Sequence, residues 1–425
     1  MNRTLIVTND FPPRAGGIQS FVHGLAACLP PESVIVYAPR WPGCGGFDTR
    51  QPYPVVRHPT SLMLPTRAVA RRAAELVAEF KCETVVFGAA APLGLLAPRM
   101  RAAGARRIIM ITHGHEAAWA GVPGARALLA RIGGHADAVT YLGEYTRRWL
   151  ARVIPEDRLV RLAPGVDTGV FRPGAGGAGV RAALGLGSRP IVICLSRLVP
   201  RKGQDVLLRA WPRVLREVPD AVLLIVGGGP YRGALERLAR PLGGSARITG
   251  PVPWASLPAY LDAGDVFAMP CRTRLGGLDV EGLGIVYLEA SASGLPVVAG
   301  SSGGAPDAVL PGETGLVVDG TSPAEVAEAL VGLLRDPAAA RAMGERGREW
   351  AEREWDSRLV GERFGRLLGT PPNAEPGATQ STEPGTTQST ESGATPGTEP
   401  STEPGATPGT EPGVTPPDAT VVTGA

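Results

Sequence analysis

Short runs of aliphatic and β-branched residues recur along the chain, separated by longer stretches with helical spacing. Leu5–Thr8, Val34–Tyr37, Thr84–Phe87, Arg107–Ile111, Ala138–Tyr141 and Leu159–Leu162 read as strands, with helical segments such as Ala68–Glu79 and Gly143–Arg152 between most of them. The runs are apolar throughout, with no polar face, as strands covered on both sides should be. This βαβ rhythm predicts a parallel sheet flanked by helices. The rhythm lapses over Pro164–Gly177, where Gly and Pro cluster, and resumes with Ile191–Leu195, Ala221–Val226, Ala246–Thr249, Asp265–Met269, Pro296–Ala299 and Gly315–Val318. The expectation is α/β: two doubly wound, Rossmann-like domains, 1–170 and 171–350. The last helices, over Ala338–Leu368, carry Trp350 and Trp355, whose indoles need apolar cover. A final helix over 351–369 is expected to cross back to the first domain.

Beyond Thr370 the composition changes: Thr-Glu-Pro-Gly recurs at Thr382, Thr402 and Thr410 with almost no large apolar residue. Such a segment cannot offset its chain entropy, so 370–425 reads as a disordered tail. The 425 residues are 44% hydrophobic, enough for two cores, and carry a net charge of only +3, which makes no case for nucleic acid as a partner. Residues 1–170, however, hold 20 Lys and Arg against 12 Asp and Glu, which leaves −5 on the remainder. A basic first half fits an anionic partner such as a phospholipid surface; it fits a well-solvated Arg-rich surface equally. The helix bearing Arg67, Arg71 and Arg72 with Val69, Leu76 and Val77 has the composition to lie on anionic lipid, or simply to face water. The five cysteines are scattered without a CxxC pair, as in reduced thiols of the cytoplasm. With no run of 18 apolar residues, and with Met1–Val7 too short for a signal peptide, the expectation is a cytoplasmic protein, peripheral on the inner membrane face if it meets one.

Four loops carry candidate chemistry, and each follows a predicted strand. In Asn9–Gln19, Gly16 and Gly17 open a helix at the ligand-binding edge of the sheet, where bare backbone can approach an anion; Asp10 and Gln19 share the loop. A tight strand-to-helix turn explains the glycines as well. In Ser196–Gly203, Arg197 and Lys202 flank a Pro turn. Lys202 is one of only two lysines, with Lys81, in a chain that otherwise writes its bases as Arg. A point charge suits a diphosphate there, and two solvated cations are the bland alternative. In Glu281-Gly282-Leu283-Gly284-Ile285-Val286-Tyr287-Leu288-Glu289, a loop carboxylate precedes a helix whose first N–H groups are free, and Glu289 lies inside that helix. Glu281 suits sugar hydroxyls and Glu289 a ribose diol. In Thr112-His113-Gly114-His115-Glu116 the spacing is not that of a helical zinc site; His113 reads as a ligand for a sugar hydroxyl or phosphate, or as a loop brace, and His115 more as a brace. Ile248–Val252 supplies backbone suited to a base edge, with Val252 at its end.

Gly16-Gly17 after the first strand, Arg197-x4-Lys202 and Glu281-x7-Glu289, in that order, resemble the family 4 glycosyltransferases of GT-B fold over residues 1–368. Within that family, the Asn9-Asp10-Phe11-Pro12-Pro13 start and the Thr112–Glu116 segment look like the actinobacterial phosphatidylinositol mannoside mannosyltransferases. The resemblance implies two domains facing a cleft. It also implies GDP-mannose as donor, phosphatidylinositol monomannoside as acceptor, retention of configuration, and no metal or other cofactor. Gly16 and Gly17 would then approach the donor phosphates, and Arg197 and Lys202 hold the diphosphate. His113 would face the transferred sugar, Glu281 its hydroxyls and Glu289 the ribose. Gly282, Leu283, Gly284 and Ile285 would offer backbone. Another nucleotide-sugar donor with a soluble acceptor, or a non-catalytic nucleotide-sugar sensor, uses the same loops.

Overall fold

The computed structural model describes residues 2–14, 16–114 and 116–369; His115 and the expected disordered tail 370–425 lie outside the described residues. Strands β1 (Arg3–Val7), β2 (Val34–Pro39), β3 (Val55–His58), β4 (Cys82–Phe87), β5 (Arg107–Met110), β6 (Ala138–Tyr141) and β7 (Leu159–Arg161) form one parallel sheet in the order β3-β2-β1-β4-β5-β6-β7. A second parallel sheet, β10-β9-β8-β11-β12-β13, is built from β8 (Ile191–Leu195), β9 (Val222–Val226), β10 (Ala246–Gly250), β11 (Val266–Met269), β12 (Val297–Gly300) and β13 (Gly315–Val318). In each sheet the order of addition reverses once, between β1 and β4 and between β8 and β11. The crevice at the carboxyl ends of those strands is where doubly wound folds bind ligands.

Alternation within the strands explains why both faces are apolar. Leu5 and Val7 point into a core with Ile35, Val85 and Ile108, while Ile6 points to the opposite core with Val34, Val36 and Ile109. Strand β3 has no counterpart among the strands the sequence pattern predicts. It lies at the sheet edge and is only half-buried along its length, so it has just two apolar residues, Val55 and Val56, directly after Pro54. The helix Arg67–Glu79 corrects the expectation that its apolar side could rest on lipid: Val69, Leu76 and Val77 are buried in the first core. Its exposed Arg71 and Arg72 pair with Glu75 and Glu79.

The chain crosses between the halves twice, side by side. Going out, the Val166 N–H donates to the Trp355 carbonyl at 2.8 Å; coming back, the Ser357 N–H donates to the Val166 carbonyl at 2.9 Å. Trp350 and Trp355 meet edge to face at 5.6 Å within the second core, and the Arg161 guanidinium lies 4.6 Å from the Trp355 ring. The helix Pro337–Glu354 belongs to the second half, and the return falls at Trp355–Asp356. The last helix, Ser357–Leu368, then buries Val360, Phe364, Leu367 and Leu368 beside Ile6, Val22 and Leu25 of the first half. No helix of the described residues is long and apolar enough to cross a membrane.

Candidate active site

The loop after β8 is shaped by its end. Gly203 has φ 76°, the left-handed region, and any Cβ there would overlap the carbonyl oxygen of Pro270 at the end of β11. The loop is thereby pressed against the switch point of the second sheet. The turn Pro200–Lys202 buries Lys202 and sets its Nζ 2.7 Å from Glu281 Oε2. Arg201 Nε lies 3.7 Å from the same oxygen, and Arg201 Nη1 lies 3.6 Å from Asp279. A buried carboxylate is tolerable with such cations beside it and costly without them. Oε2 of Glu281 is buried against these cations, and among the described residues no donor meets it in full hydrogen-bond geometry.

Behind this pair, Gln204 is fully buried and donates from Nε2 to Ser196 Oγ at 2.8 Å and to the Arg197 carbonyl at 3.0 Å. Asp205, also buried, is gripped by Arg272 at 3.0 Å and by Arg209 at 2.8 Å. These residues fix the loop; the Arg197 side chain itself is exposed, with no hydrogen bond or ion pair among the described residues.

The helix Ile285–Ala292 starts at Gly284, which offers no side-chain cap; the Tyr287 N–H donates back to the Gly284 carbonyl at 3.0 Å, and the N–H groups of Ile285 and Val286 precede the first intrahelical bond. Glu289 lies one turn inside. Its carboxylate receives no hydrogen bond or cation from the described residues, and burial pushes its pKa from 4.5 up to about 7. Below the site the Tyr287 hydroxyl donates to the Met269 carbonyl at 2.6 Å and sits 3.0 Å from Cys271 Sγ. Burial pushes the thiols of Cys271 and Cys194 up to about 11 and about 12. Burial thus disfavours the thiolate at both, as at structural cysteines.

The first half meets this assembly through bare backbone. A Cβ on Gly114 would stand 2.8 Å from Gly282 Cα, and one on Gly282 would stand 3.0 Å from the His113 carbonyl. The His113 ring Nε2 lies 2.6 Å from the Gly88 carbonyl after β4; since a carbonyl only accepts, Nε2 carries the hydrogen. The Glu116 carboxylate accepts from the His113 N–H at 2.9 Å. His113 thus braces the loops after β4 and β5. In the β1 loop, Gln19 Nε2 donates to Asp10 Oδ1 at 2.6 Å, which closes the loop on itself around Gly16. Asn9 clamps the Met63 backbone, donating to its carbonyl at 2.9 Å and accepting from its N–H at 2.7 Å.

Of the residues singled out from sequence, Lys202, Glu281, Gly282 and the His113 backbone are brought together. Gly284 and Ile285 continue the same run, with Leu283 buried beneath it, and Glu289 stands further along the helix. Asp10, Gln19 and Gly16 form a second group in the first half, beside Gly17 at the helix start. Val252 packs half-buried against the second core. Arg201, Gln204 and Asp279 were not foreseen. Their signal was present, since Arg201 adjoins Lys202 and Asp279 precedes Glu281 by two residues. Among the described residues no group of three or more His, Cys, Asp or Glu is placed to hold a metal ion.

Two facing Rossmann-like sheets, with a buried Lys–Glu pair on one and a His-Gly loop touching it from the other, define a GT-B glycosyltransferase. Residues 15–170 match the description Glycosyltransferase Family 4, and 180–350 match Glycosyl transferases group 1. A relative from Mycolicibacterium smegmatis, named GDP-mannose-dependent alpha-(1-6)-phosphatidylinositol monomannoside mannosyltransferase, is 54% identical over 86% of this chain and 97% of its own. One from Corynebacterium glutamicum, whose name adds "monoacylated", is 46% identical over 87% of this chain and 98% of its own. The chain belongs to this family of mannosyltransferases. The fold is shared with HepE from Anabaena in complex with UDP, at TM-score 0.74 and 17% identity, over 86% of this chain and 99% of that one.

Proposed function

We propose that this protein transfers mannose from GDP-mannose to phosphatidylinositol monomannoside, forming an α-1,6 linkage with retention of configuration. The observation that carries the proposal is the Lys202–Glu281 contact beneath the Gly282–Gly114 approach. Lys202, aided by Arg197 at the mouth of the loop, stabilises the charge that develops on the departing diphosphate. Glu281 accepts hydroxyls of the mannose, Glu289 accepts the ribose diol, and the N–H groups at Gly284–Ile285 meet donor oxygens. Gly16 and Gly17 approach the phosphates from the first half, with Asp10 and Gln19 holding their loop, and Val252 lies near the base. The mannose C1–O bond to the diphosphate breaks, the acceptor oxygen bonds to C1 on the same face, and the acceptor proton passes to the leaving phosphate oxygen.

The acceptor is a lipid, and the first half carries a surface suited to its membrane. Leu62 and Leu64 are 56% and 50% exposed on either side of buried Met63, on the loop that Asn9 clamps and that leads into the helix bearing Arg67 and Arg71. Two apolar prongs beside cations fit an anionic bilayer. On this reading the enzyme works as a peripheral protein on the cytoplasmic face. Radiolabelled mannose transfer from GDP-mannose to phosphatidylinositol monomannoside, run beside UDP-sugars, tests the reaction. A dimannosylated lipid made with GDP-mannose alone is expected. Turnover of a UDP-sugar in its place would discard the proposed donor.

A further inference from the structure

A further contact joins the two halves, and it too is made by a side chain. Asp307 lies on the turn Ala305–Ala308, after β12 in the second half. Its Oδ2 accepts a hydrogen bond from the Tyr145 N–H at 3.0 Å, in the first turn of the helix Glu144–Leu150 of the first half. That N–H has no local cap. Gly143, at the start of the helix, has no side chain, and Thr146 Oγ1 is turned back on the Leu142 and Gly143 N–H groups at 3.0 and 3.1 Å. Gly143 is extended, so its backbone would suit any residue. It is the space that requires glycine, because a Cβ there would overlap the Asp307 carboxylate.

The Asp307 turn is also tied to the active site. The Asp307 N–H donates to the Gly304 carbonyl at 3.0 Å, and the Gly304 N–H donates to the Glu281 carbonyl at 2.8 Å. Gly304 lies so close to the Gly282 carbonyl that a Cβ would overlap it. One short segment therefore holds the Glu281–Gly282 backbone from behind while its acidic end caps a helix of the opposite domain. We propose that Asp307 is a positioning residue that latches the two domains in the closed arrangement, setting Glu281 and Gly282 against the His113–Gly114 loop.

The latch needs an acceptor oxygen more than a charge. Burial raises the Asp307 carboxyl above its ordinary range, with Glu144 adding to this, and the Tyr145 N–H with Arg161 and Arg148 opposing it. A neutral amide oxygen can do the same work. The inference rests on the reading that transfer occurs between the two halves, but not on which sugar is moved.

The test compares D307A, D307N and G143A with the parent protein. Steady-state kinetics with GDP-mannose would be measured alongside calorimetric GDP affinity and small-angle scattering with saturating GDP. D307A and G143A are expected to lower kcat about tenfold, as loss of a cross-domain hydrogen bond should. GDP affinity should fall by less than kcat does, because the proposed nucleotide contacts stay in place while the closed state that GDP favours is weakened, and the radius of gyration with GDP should increase. D307N should retain most of the parent kcat and its compact scattering. Parent kcat and scattering in D307A would overturn the latch. So would a loss of GDP affinity matching the loss in kcat, since that marks local damage to the donor site. Failure of the parent protein to use GDP-mannose, with GDP-dependent compaction intact and lost in D307A, would reject the donor and keep the latch.

Discussion

Lys202 Nζ and Glu281 Oε2 stand 2.7 Å apart at the carboxyl edge of the second sheet, both buried, and Arg201 approaches the same oxygen. The lysine holds the glutamate in place and, in the proposed mechanism, the diphosphate of the donor as well. Lys202→Ala should lower kcat by a hundredfold or more, a loss of roughly 3 kcal/mol of transition-state stabilisation. Lys202→Arg should not restore it, because a planar guanidinium cannot occupy the compact position of an ammonium between these groups. Steady-state rates on variants with unchanged circular dichroism decide this; parent-like turnover in the alanine variant would remove Lys202 from the chemistry.

Glu289 titrates where it can be observed. Its folded pKa is raised from 4.5 to about 7, so the folded protein without nucleotide holds this proton more tightly than the unfolded chain does. The associated stability is fully present below about pH 4.5 and is lost as pH rises through about 7. Nucleotide binding runs the other way, since ribose hydroxyls donate best to the ionised carboxylate. GDP affinity measured by calorimetry should rise with pH through about 7 in the parent protein and be flat in Glu289→Gln. A variant that kept the parent pH profile would show that another group is titrating.

Gly203 should be intolerant of a side chain for two separate reasons. It needs a left-handed backbone, and the Pro270 carbonyl fills the space where a Cβ would go. Gly203→Ala is predicted to lower unfolding free energy by about 2 kcal/mol or more and to weaken GDP binding with it. Gly312 has the same backbone sign, φ 80°, but open space around it, so Gly312→Ala should cost only about 1 kcal/mol. Equal costs in denaturant titrations would mean that the Pro270 contact contributes nothing.

Leu62 and Leu64 offer a test of the membrane surface that leaves the cleft alone. Each leucine that enters the bilayer contributes roughly 1.5–3 kcal/mol. Replacing both by Asp should therefore reduce co-sedimentation with vesicles containing phosphatidylinositol by more than about tenfold. GDP affinity should not change, because neither side chain touches the donor half. Undiminished vesicle binding would shift the membrane contact to another face.

The two α/β units are legible from the chain alone, because buried parallel strands must be apolar on both faces, and such runs stand out as Ile191–Leu195 and Ala138–Tyr141 do. The sequence also put the candidate loops at the strand ends, since Gly and Pro after a strand mark the edge where such folds bind ligands. It did not reveal β3, whose edge position asks for only two apolar residues. Nor did it reveal that Val69, Leu76 and Val77 turn inward, because an amphipathic helix has the same pattern whether its apolar side meets a sheet or a lipid. Which distant groups meet emerges only on folding: Lys202 with Glu281, Gly114 with Gly282, Asp307 with the Tyr145 N–H. Periodicity reports which face of an element is covered. Contact between elements depends on how the two sheets pack and where the chain crosses between them, and no local spacing encodes that.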